Sequence, residues 1–437
     1  MRKVTVTITL ELPNSTLELP TKPHLINKHH EHQSNEIYIP NLAHRPGDAL
    51  DFSHLNIPKA GATDKPPVDE NAQSITDMAY GLIRVLGDND EAVGDWNPKL
   101  HPDMLRKGLR NMMLTRAYDE RMFRMQRQGK LSFYIKSTGE EGLSIAQAMA
   151  LEFNDMLFPT YRQQGLLFAR NHNIVEMMCH CISNSGDTAK GRQMPTFYTW
   201  RDGNFFSISG NLATQYNQAV GWAMASAYKG ENNIAAAYVG DGASAEADVY
   251  NALLFASTYR APVILNIVNN QWAISTPQSF ASGGTTFAAR GIGFNIPSLR
   301  VDANDFLATY AVTQWAAQRA RLGLGATLIE LFTYRVDSHS TSDDPSRYRC
   351  GEEAKKWPLG DPLIRLKQHL INLNEWSEEQ HQELTEELTQ FVTQSWKEAE
   401  KLGTLQGAPH WPLQEMFTDV YKDLPVHLKR QLNEASQ

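Results

Sequence analysis

Two apolar stretches, each directly followed by a polar turn, constrain the fold of this chain more than any other feature. Residues 234–239 run into Gly240 and residues 261–268 run into Asn269, with a helical pattern over residues 244–258 between them. Continuous apolar strands that alternate with helices are typical of a parallel sheet covered by helices on both faces. We therefore predict an α/β fold built around such a sheet.

Apolar residues at helical spacing extend this pattern along the chain. Residues 212–228 are rich in alanine, glycine and serine, and such a small-residue face lets helices pack closely. The other predicted elements are helices over residues 75–86, 104–127, 145–151, 306–321, 361–373 and 377–402 and a strand over residues 326–333.

Three regions are expected from these patterns. Residues 1–100 carry scattered prolines, and Lys65-Pro66-Pro67 cannot be helical. We expect an extended arm there that wraps over a neighbour, with strand-like alternation over residues 1–10. Residues 101–355 are predicted to form the α/β domain, and residues 356–437 a helical C-terminal region.

Composition and cysteine content exclude several classes of protein. With 437 residues and a net charge of −8, the chain is unsuited to nucleic acid or an anionic membrane as its main partner. Its three cysteines, Cys179, Cys181 and Cys350, are too few for a disulfide framework, which indicates a reducing compartment. We expect Cys179 and Cys181 to be buried thiols, with a metal site as the alternative. No apolar run suits a signal peptide or a membrane span, and we predict a cytoplasmic protein. The histidines of His29-His30-Glu31-His32 are expected to be solvated, with metal binding as the alternative.

The polar turns after the two apolar stretches can hold a divalent cation against a diphosphate. In parallel α/β sheets, ligands bind at the carboxyl ends of the strands. Asp241 offers a carboxylate oxygen, Asn270 a carboxamide oxygen and Trp272 a backbone carbonyl; Mg²⁺ prefers such oxygen ligands and shares them with phosphates. Gly240 and Gly242 let the backbone approach a phosphate, and the helix predicted to follow adds its positive end. Taken singly, either segment is also compatible with an ordinary turn or loop.

Several further motifs, together with these turns, resemble the α subunit of the branched-chain 2-oxoacid dehydrogenase decarboxylase component, a thiamine-diphosphate enzyme. The resemblance covers about residues 70–430, and residues 268–276 are similar to its bacterial branch, which implies a bacterial cytoplasmic protein. The remaining motifs are Gln128-Gly129-Lys130-Leu131-Ser132-Phe133-Tyr134, Gly139-Glu140-Glu141-Gly142, Phe158-Pro159-Thr160-Tyr161-Arg162, Lys190-Gly191-Arg192-Gln193-Met194-Pro195 and His339-Ser340-Thr341-Ser342-Asp343-Asp344.

The resemblance implies thiamine diphosphate and Mg²⁺ as cofactors, held in the diphosphate-binding half of the fold. The cofactor-binding residues that it implies are Tyr161, Arg162, Gly210, Leu212, Gly240, Asp241, Gly242, Ala243, Asn270, Arg335 and His339. The Mg²⁺ ligands that it implies are Asp241, Asn270 and the Trp272 carbonyl. A structural K⁺ is implied at Ser209, Thr214 and Gln215, with helix capping by these polar residues as the alternative.

Individual roles follow from the same resemblance. Tyr161 and Arg162 are expected at the diphosphate, where the planar fork of an arginine matches two phosphate oxygens. Leu212 matches the apolar residue that bends the cofactor into a V shape. His339 matches the active-site histidine, whose ordinary pKa range suits proton transfer during acyl transfer. Arg335 is expected to approach the phosphates.

Other positions are expected at the entrance or depart from the family pattern. Phe133 and Tyr134 are expected to line the entrance for an apolar acyl chain, with a core role as the alternative. Ser340 aligns with a serine that is phosphorylated in animal relatives, but Cys350 replaces the second such serine. Val268 stands where animal relatives carry an arginine.

The chain is expected to need partners, because it offers only one α/β unit of the required size. The pyrimidine half of the site, with its catalytic glutamate, should come from a β subunit in a heterotetramer. The implied activity is that of 3-methyl-2-oxobutanoate dehydrogenase, with acyl transfer to the lipoyl group of an acyltransferase component. Alternatives are a pyruvate or acetoin dehydrogenase α subunit, or a noncatalytic scaffold. A Rossmann dehydrogenase is disfavoured, because no G-x-G-x-x-G follows Val239.

Overall fold

The computed structural model describes Pro40, residues 46–407 and residues 409–436. The strand predicted over residues 1–10 and the histidine cluster at residues 29–32 lie outside these described residues. No helix in the described part of the chain is long and apolar enough to cross a membrane.

A parallel sheet forms the centre of the fold. The strands are β1 (Met156–Phe158), β2 (Ala235–Gly240), β3 (Val263–Asn269), β4 (Trp272–Ala273), β5 (Thr276–Pro277), β6 (Ser298–Asp302) and β7 (Thr327–Phe332). Five of them pair in parallel in the order β1-β2-β3-β7-β6, and β4 and β5 form a small antiparallel ribbon. Gly240 pairs with Val268 and Asn269 with Phe332, so the carboxyl ends of β2, β3 and β7 lie side by side. The predicted parallel α/β sheet is confirmed.

Helices cover both faces of this sheet. They are α1 (Pro102–Arg127), α2 (Glu141–Ala150), α3 (Gln164–Ala169), α4 (Ile174–Ile182), α5 (Thr214–Tyr228), α6 (Ala247–Thr258), α7 (Gln278–Ala281), α8 (Phe306–Arg321), α9 (Pro362–Asn372), α10 (Glu378–Lys401) and α11 (Val426–Ala435). Short 3-10 helices occur at Ala72–Ala79, Arg201–Gly203, Ala243–Ala245, Ala288–Phe294, Pro345–Arg347 and Leu413–Phe417.

Each face of the sheet has its own hydrophobic core, because successive strand residues point to opposite faces. On β2, Ala236 and Tyr238 belong to a core that includes buried residues of α1, α2 and α8. Ala235 and Ala237, on the other face, belong to a core that includes buried residues of α5 and α6. Packing on both faces holds the sheet between the two layers of helices.

The helix after β2 begins later than the sequence pattern predicts. The expectation was a helix from Ser244, but a 3-10 turn at Ala243–Ala245 precedes α6, which begins at Ala247. The Ser244 hydroxyl donates to the Asp241 carbonyl, and the Arg290 guanidinium donates to the Ser244 carbonyl. These bonds keep the turn separate, so the first turn of α6 does not sit directly at Ser244.

Part of the predicted N-terminal arm packs on the sheet of this chain, and its contact with a neighbour stays a prediction. Residues 82–86 are buried, and Ile83 forms a parallel bridge with Val301 of β6. The Asp305 carboxylate accepts hydrogen bonds from Val85 N at 2.7 Å and Leu86 N at 2.5 Å. The helix predicted over residues 75–86 is replaced by the 3-10 helix at Ala72–Ala79, because these bonds hold the following residues extended. The domain boundaries at residues 100 and 355 stay predictions.

The three cysteines are expected to differ in reactivity. Cys179 and Cys181 are buried, and burial raises the pKa of each thiol to about 11, whereas Cys350 is partly exposed. At pH 8 only about one in a thousand of the buried thiols is a thiolate, the nucleophilic form. Iodoacetamide should therefore modify one cysteine in the folded protein and three after denaturation, as measured by mass spectrometry. Rapid alkylation of Cys181 in the folded protein would contradict the burial described here.

Candidate active site

A cavity of about 410 Å³ opens at the carboxyl ends of β2 and β3. Its walls are formed by Glu140, Thr160, Tyr161, Arg162, Gln163, Ser209, Leu212, Ala213, Gln215, Gly240, Asp241, Gly242, Ala243, Val268, Asn270, Trp272, Ala273, Ile274 and His339. Most of the predicted cofactor-binding residues therefore meet at one place. Gly210, Thr214 and Arg335 are the predicted site residues that do not line this cavity.

Asp241 carries a buried carboxylate oxygen to which no side chain or backbone group of the described residues donates a hydrogen bond. Its backbone N–H donates to the Val268 carbonyl at 3.0 Å, which places it directly beside the end of β3. Oδ1 accepts a hydrogen bond from Gly242 N at 2.7 Å, but Oδ2 is buried and has no hydrogen-bond partner among the described residues. Burial raises the pKa of this carboxyl to about 7. A cation bound at Oδ2 would satisfy this oxygen and displace the proton, so the residue fits a metal ligand.

Asn270 and Trp272 carry the other two oxygen ligands predicted for Mg²⁺, and both residues line the same cavity. The Asn270 amide nitrogen donates to Glu140 Oε1 at 2.7 Å, and its Oδ1 accepts from Trp272 N at 3.2 Å. The Trp272 carbonyl accepts from Arg335 Nη1 at 3.0 Å, which leaves its second lone pair for another partner. Within the described ranges, no three histidine, cysteine or carboxylate side chains gather to hold a metal. A cation here therefore needs oxygens from a ligand as well, as Mg²⁺ takes from phosphates.

Glu140 was missed as a site residue by sequence reasoning. It precedes α2, is 1% exposed, and lies between Asn270 and Arg162, whose Nε is 3.3 Å from Glu140 Oε1. Burial raises the pKa of its carboxyl, and the neighbouring Arg162 opposes that rise. The sequence does contain a signal for this role. Glu140 and Glu141 stand at the start of a helix of small and apolar residues, and acids that are buried there need specific partners.

Arg162 lines the cavity but already has protein partners. Besides Glu140, it donates from Nη1 to the Lys136 carbonyl and from Nη2 to the His339 carbonyl at 2.9 Å. Its neighbour Tyr161 stacks on Phe197, with the ring centroids 6.2 Å apart, and meets the His339 ring edge-on at 5.8 Å. The structure therefore brings Tyr161 and Arg162 to the cavity, and their contact with a diphosphate stays a prediction.

His339 is a neutral imidazole in this setting. Its Nδ1 lies 3.3 Å from Arg162 Nη2, and an arginine only donates, so Nδ1 accepts and the ring proton sits on Nε2. Burial, reinforced by Arg162 and Arg335, lowers its pKa to about 3. The expectation of an ordinary histidine pKa is therefore corrected. An ordinary histidine becomes protonated below about pH 6.5, whereas this ring stays neutral down to about pH 3.

The loop around His339 is held by its own bonds. The His339 backbone N–H donates to Asp343 Oδ2 at 2.7 Å, and the Tyr348 hydroxyl donates to the same oxygen at 2.6 Å. Thr341 N donates to the Tyr134 carbonyl at 3.0 Å. These contacts tie the loop to the segment before Glu140 and fix the histidine at the cavity.

Arg335 lies behind the cavity wall. It is 1% exposed and donates to the Trp272 carbonyl and, at 2.7 Å, to the Ile274 carbonyl. It thus holds the loop that carries Trp272. Direct contact between Arg335 and a phosphate stays a prediction.

The three residues implied for a K⁺ site take part in turn and strand contacts. Ser209 Oγ accepts from Asn211 N at 3.1 Å, and the Thr214 hydroxyl donates to the Asn211 carbonyl at 3.1 Å. Gln215 donates to the Tyr238 carbonyl at 2.7 Å. Ser209 and Gln215 line the cavity, but Thr214 does not. The K⁺ site stays a prediction.

The apolar part of the cavity wall differs from the one predicted. Leu212 and Ile274 line it and are 48% and 54% exposed. Tyr134 is fully buried, and its hydroxyl donates to Asp119 Oδ1 at 2.6 Å, so the expected entrance role is wrong for Tyr134. Phe133 is half-buried and is not among the lining residues. The exposed apolar surface of the cavity is therefore provided by Leu212 and Ile274 rather than by Phe133 and Tyr134.

Comparisons with known proteins identify the family of this chain. Residues 109–407 match the family "Dehydrogenase E1 component", and residues 34–73 match "2-oxoisovalerate dehydrogenase E1 alpha subunit N terminal". The chain is 53% identical over 405 residues to the 2-oxoisovalerate dehydrogenase subunit alpha of Pseudomonas aeruginosa, covering 92% of this chain and 99% of that protein. The mitochondrial 2-oxoisovalerate dehydrogenase subunit alpha of Mus musculus is 40% identical over 336 residues, covering 77% of this chain and 75% of its own length. The corresponding protein of Caenorhabditis elegans is 36% identical over 395 residues, covering 89% and 90%.

Proposed function

This chain belongs to the dehydrogenase E1 component family, and from that premise we propose that it is the α subunit of a branched-chain 2-oxoacid dehydrogenase. With a β subunit it catalyses the thiamine-diphosphate-dependent oxidative decarboxylation of branched-chain 2-oxoacids. The acyl group passes to the lipoyl group of an acyltransferase component. We place the protein in the cytoplasm.

One observation carries the cofactor part of this proposal. Asp241 Oδ2 is buried without a partner among the described residues, in a cavity that Asn270 also lines. A buried carboxylate oxygen without a donor is costly unless a cation binds it. Mg²⁺ held by Asp241, Asn270 and the Trp272 carbonyl, with a diphosphate as its remaining ligand, satisfies that oxygen.

The roles proposed for the surrounding residues are those that membership of the family implies. Gly240, Gly242 and Ala243 supply backbone at the phosphates, and Tyr161 and Arg162 orient them, with Gly210 and Arg335 in support. Leu212 supports the bent form of the cofactor, and Ser209, Thr214 and Gln215 hold a structural K⁺. When bound, thiamine diphosphate supplies the electron sink for the loss of CO₂.

His339 is proposed to serve the acyl transfer as a neutral hydrogen-bond donor. Its ring proton sits on Nε2, because Arg162 occupies Nδ1. A pKa of about 3 keeps the ring uncharged at neutral pH, so that its Nε2–H acts as a neutral hydrogen-bond donor. Arg162 thereby sets the tautomer of the catalytic residue.

Substrate preference provides the test of the branched-chain assignment. In the complex reconstituted with its β subunit, Mg²⁺ and cofactor, kcat/KM for 3-methyl-2-oxobutanoate should exceed that for pyruvate by at least about tenfold. The two extra methyl groups of the branched substrate find apolar surface at the site, and each such group contributes about 1–3 kcal/mol. Turnover is followed by 2-oxoacid-dependent reduction of an artificial electron acceptor, with omission of cofactor as the control. A preference for pyruvate would assign the chain to the pyruvate or acetoin type instead.

A further inference from the structure

Glu140 is the buried acid that connects the predicted metal ligand Asn270 to the predicted catalytic residue His339. We propose that Glu140 is a positioning residue that fixes the orientation of the Asn270 amide, so that its oxygen is presented to the metal. This inference rests on the proposed function, because it assumes Mg²⁺ at Asp241 and Asn270. It adds to that function a residue whose role is to orient a ligand.

The argument starts from the two unlike ends of an asparagine side chain. A carboxylate only accepts hydrogen bonds, so the end of Asn270 that faces Glu140 Oε1 at 2.7 Å must be the NH₂ group. The other end accepts from Trp272 N at 3.2 Å, which a reversed amide is unable to do. Both contacts therefore select the same orientation, and the second lone pair of the amide oxygen remains for a cation.

The same Glu140 oxygen also holds Arg162. Arg162 Nε lies 3.3 Å from Oε1, and its Nη2 donates to the His339 carbonyl and approaches Nδ1. The position of Glu140 is fixed in turn by a backbone hydrogen bond, since its N–H donates to the Ser137 carbonyl at 2.7 Å. One oxygen atom thus sets both the amide of the metal ligand and the guanidinium beside the histidine.

Neighbouring Glu141 offers a natural comparison. It is also buried, but its carboxylate accepts from Gly139 N at 2.7 Å and from Arg116 Nε at 2.8 Å, and it does not line the cavity. The two adjacent buried acids therefore differ in the residues that their carboxylates contact. Glu140 contacts a predicted metal ligand, and Glu141 holds α1 and the start of α2 together.

Two conservative variants separate the hydrogen bond from the charge. Glu140→Gln keeps an oxygen within reach of Asn270 and Arg162 but removes the charge. Glu140→Asp keeps the charge, but its side chain is shorter by one methylene group, so its oxygen no longer reaches Asn270. Outer partners of metal ligands are worth about 10–100-fold in metal affinity. We therefore expect Glu140→Asp to weaken Mg²⁺ affinity by about tenfold or more, and Glu140→Gln to stay within about threefold of the unaltered protein.

The measurement is a calorimetric titration of Mg²⁺ into the complex with its β subunit, in the presence of thiamine diphosphate. Glu141→Asp is the matched control and should lower the melting temperature while leaving Mg²⁺ affinity unchanged. The proposed orienting role of Glu140 is overturned if Glu140→Gln loses as much Mg²⁺ affinity as Glu140→Asp, or more. It is also overturned if Glu140→Asp changes only the melting temperature. If the unaltered complex shows no Mg²⁺-dependent cofactor binding, the proposed function itself fails.

Discussion

Replacing Asp241 with asparagine is expected to weaken Mg²⁺-dependent binding of thiamine diphosphate by more than about 100-fold. Loss of an outer partner of a metal ligand already costs about 10–100-fold, and Asp241 is proposed as the ligand itself. The substitution removes the charge on Oδ2, the buried oxygen without a partner among the described residues, and changes the volume very little. Binding is measured by calorimetry with and without Mg²⁺.

The same variant should keep or gain thermal stability in the absence of metal. The pKa of Asp241 is raised from 3.8 to about 7 in the folded chain, so folding disfavours the ionised form. The resulting contribution to stability is fully present below pH 3.8 and is lost as the pH rises through about 7. At pH 8 asparagine removes that cost, and the melting temperature of the metal-free variant should therefore not fall.

In the unaltered protein, Mg²⁺ must displace the proton of Asp241. The affinity of the protein for Mg²⁺ should therefore decline by up to about tenfold per pH unit below about pH 7.

Asp248→Asn is the matched control for this experiment. Asp248 lies in the first turn of α6, accepts from the Asn217 amide at 2.5 Å and does not line the cavity. Its substitution should leave cofactor binding unchanged. Unaltered Mg²⁺-dependent binding in Asp241→Asn would instead support a noncatalytic scaffold that has lost the cofactor site.

The parts of the fold that were predictable are those encoded by short, local patterns. β2 and β3 are nearly continuous apolar runs, and the polar residues that follow them meet because parallel strands share one carboxyl edge. β6 was missed, since Ser298, Arg300 and Asp302 interrupt its apolar residues. β1 has only three residues, Met156–Phe158, which is too short for a periodic signal.

The parts of the site that were not predictable depend on contacts between distant segments. Glu140 contacts Asn270 across 130 positions of sequence, and the local pattern indicates that a buried acid needs a partner without indicating which residue it is. The low pKa of His339 depends on burial and on Arg162, which lies 177 positions away. Tyr134 turned out to be core because Asp119 of α1 gives its hydroxyl a buried partner. Sequence therefore predicted which residues gather, and the structure was needed to show how they face one another.

The purified chain alone is expected to show less than about one thousandth of the turnover of the complex with its β subunit, even with Mg²⁺ and cofactor present. Loss of a general acid or base costs about 10²–10⁴-fold. The acidic side chains that line the cavity in the described part of the chain are Glu140 and Asp241. Glu140 is bonded to Asn270 and Arg162, and Asp241 lies at the predicted metal, so neither is available to protonate the pyrimidine ring. CO₂ release from 3-methyl-2-oxobutanoate provides the measurement.

Adding the purified β subunit should restore turnover in proportion to the complex formed, which size-exclusion chromatography reports. The reason lies in the apolar side chains of Leu212 and Ile274, which line the cavity and are about half exposed in the part of the chain that the structure describes. A β subunit that covers them would exclude water and bring the missing acid at the same time. The control is the Asp241→Asn chain mixed with the β subunit, which should assemble and stay inactive. Full turnover by the folded chain without a partner would contradict the shared site, because the acid would then have to come from this polypeptide.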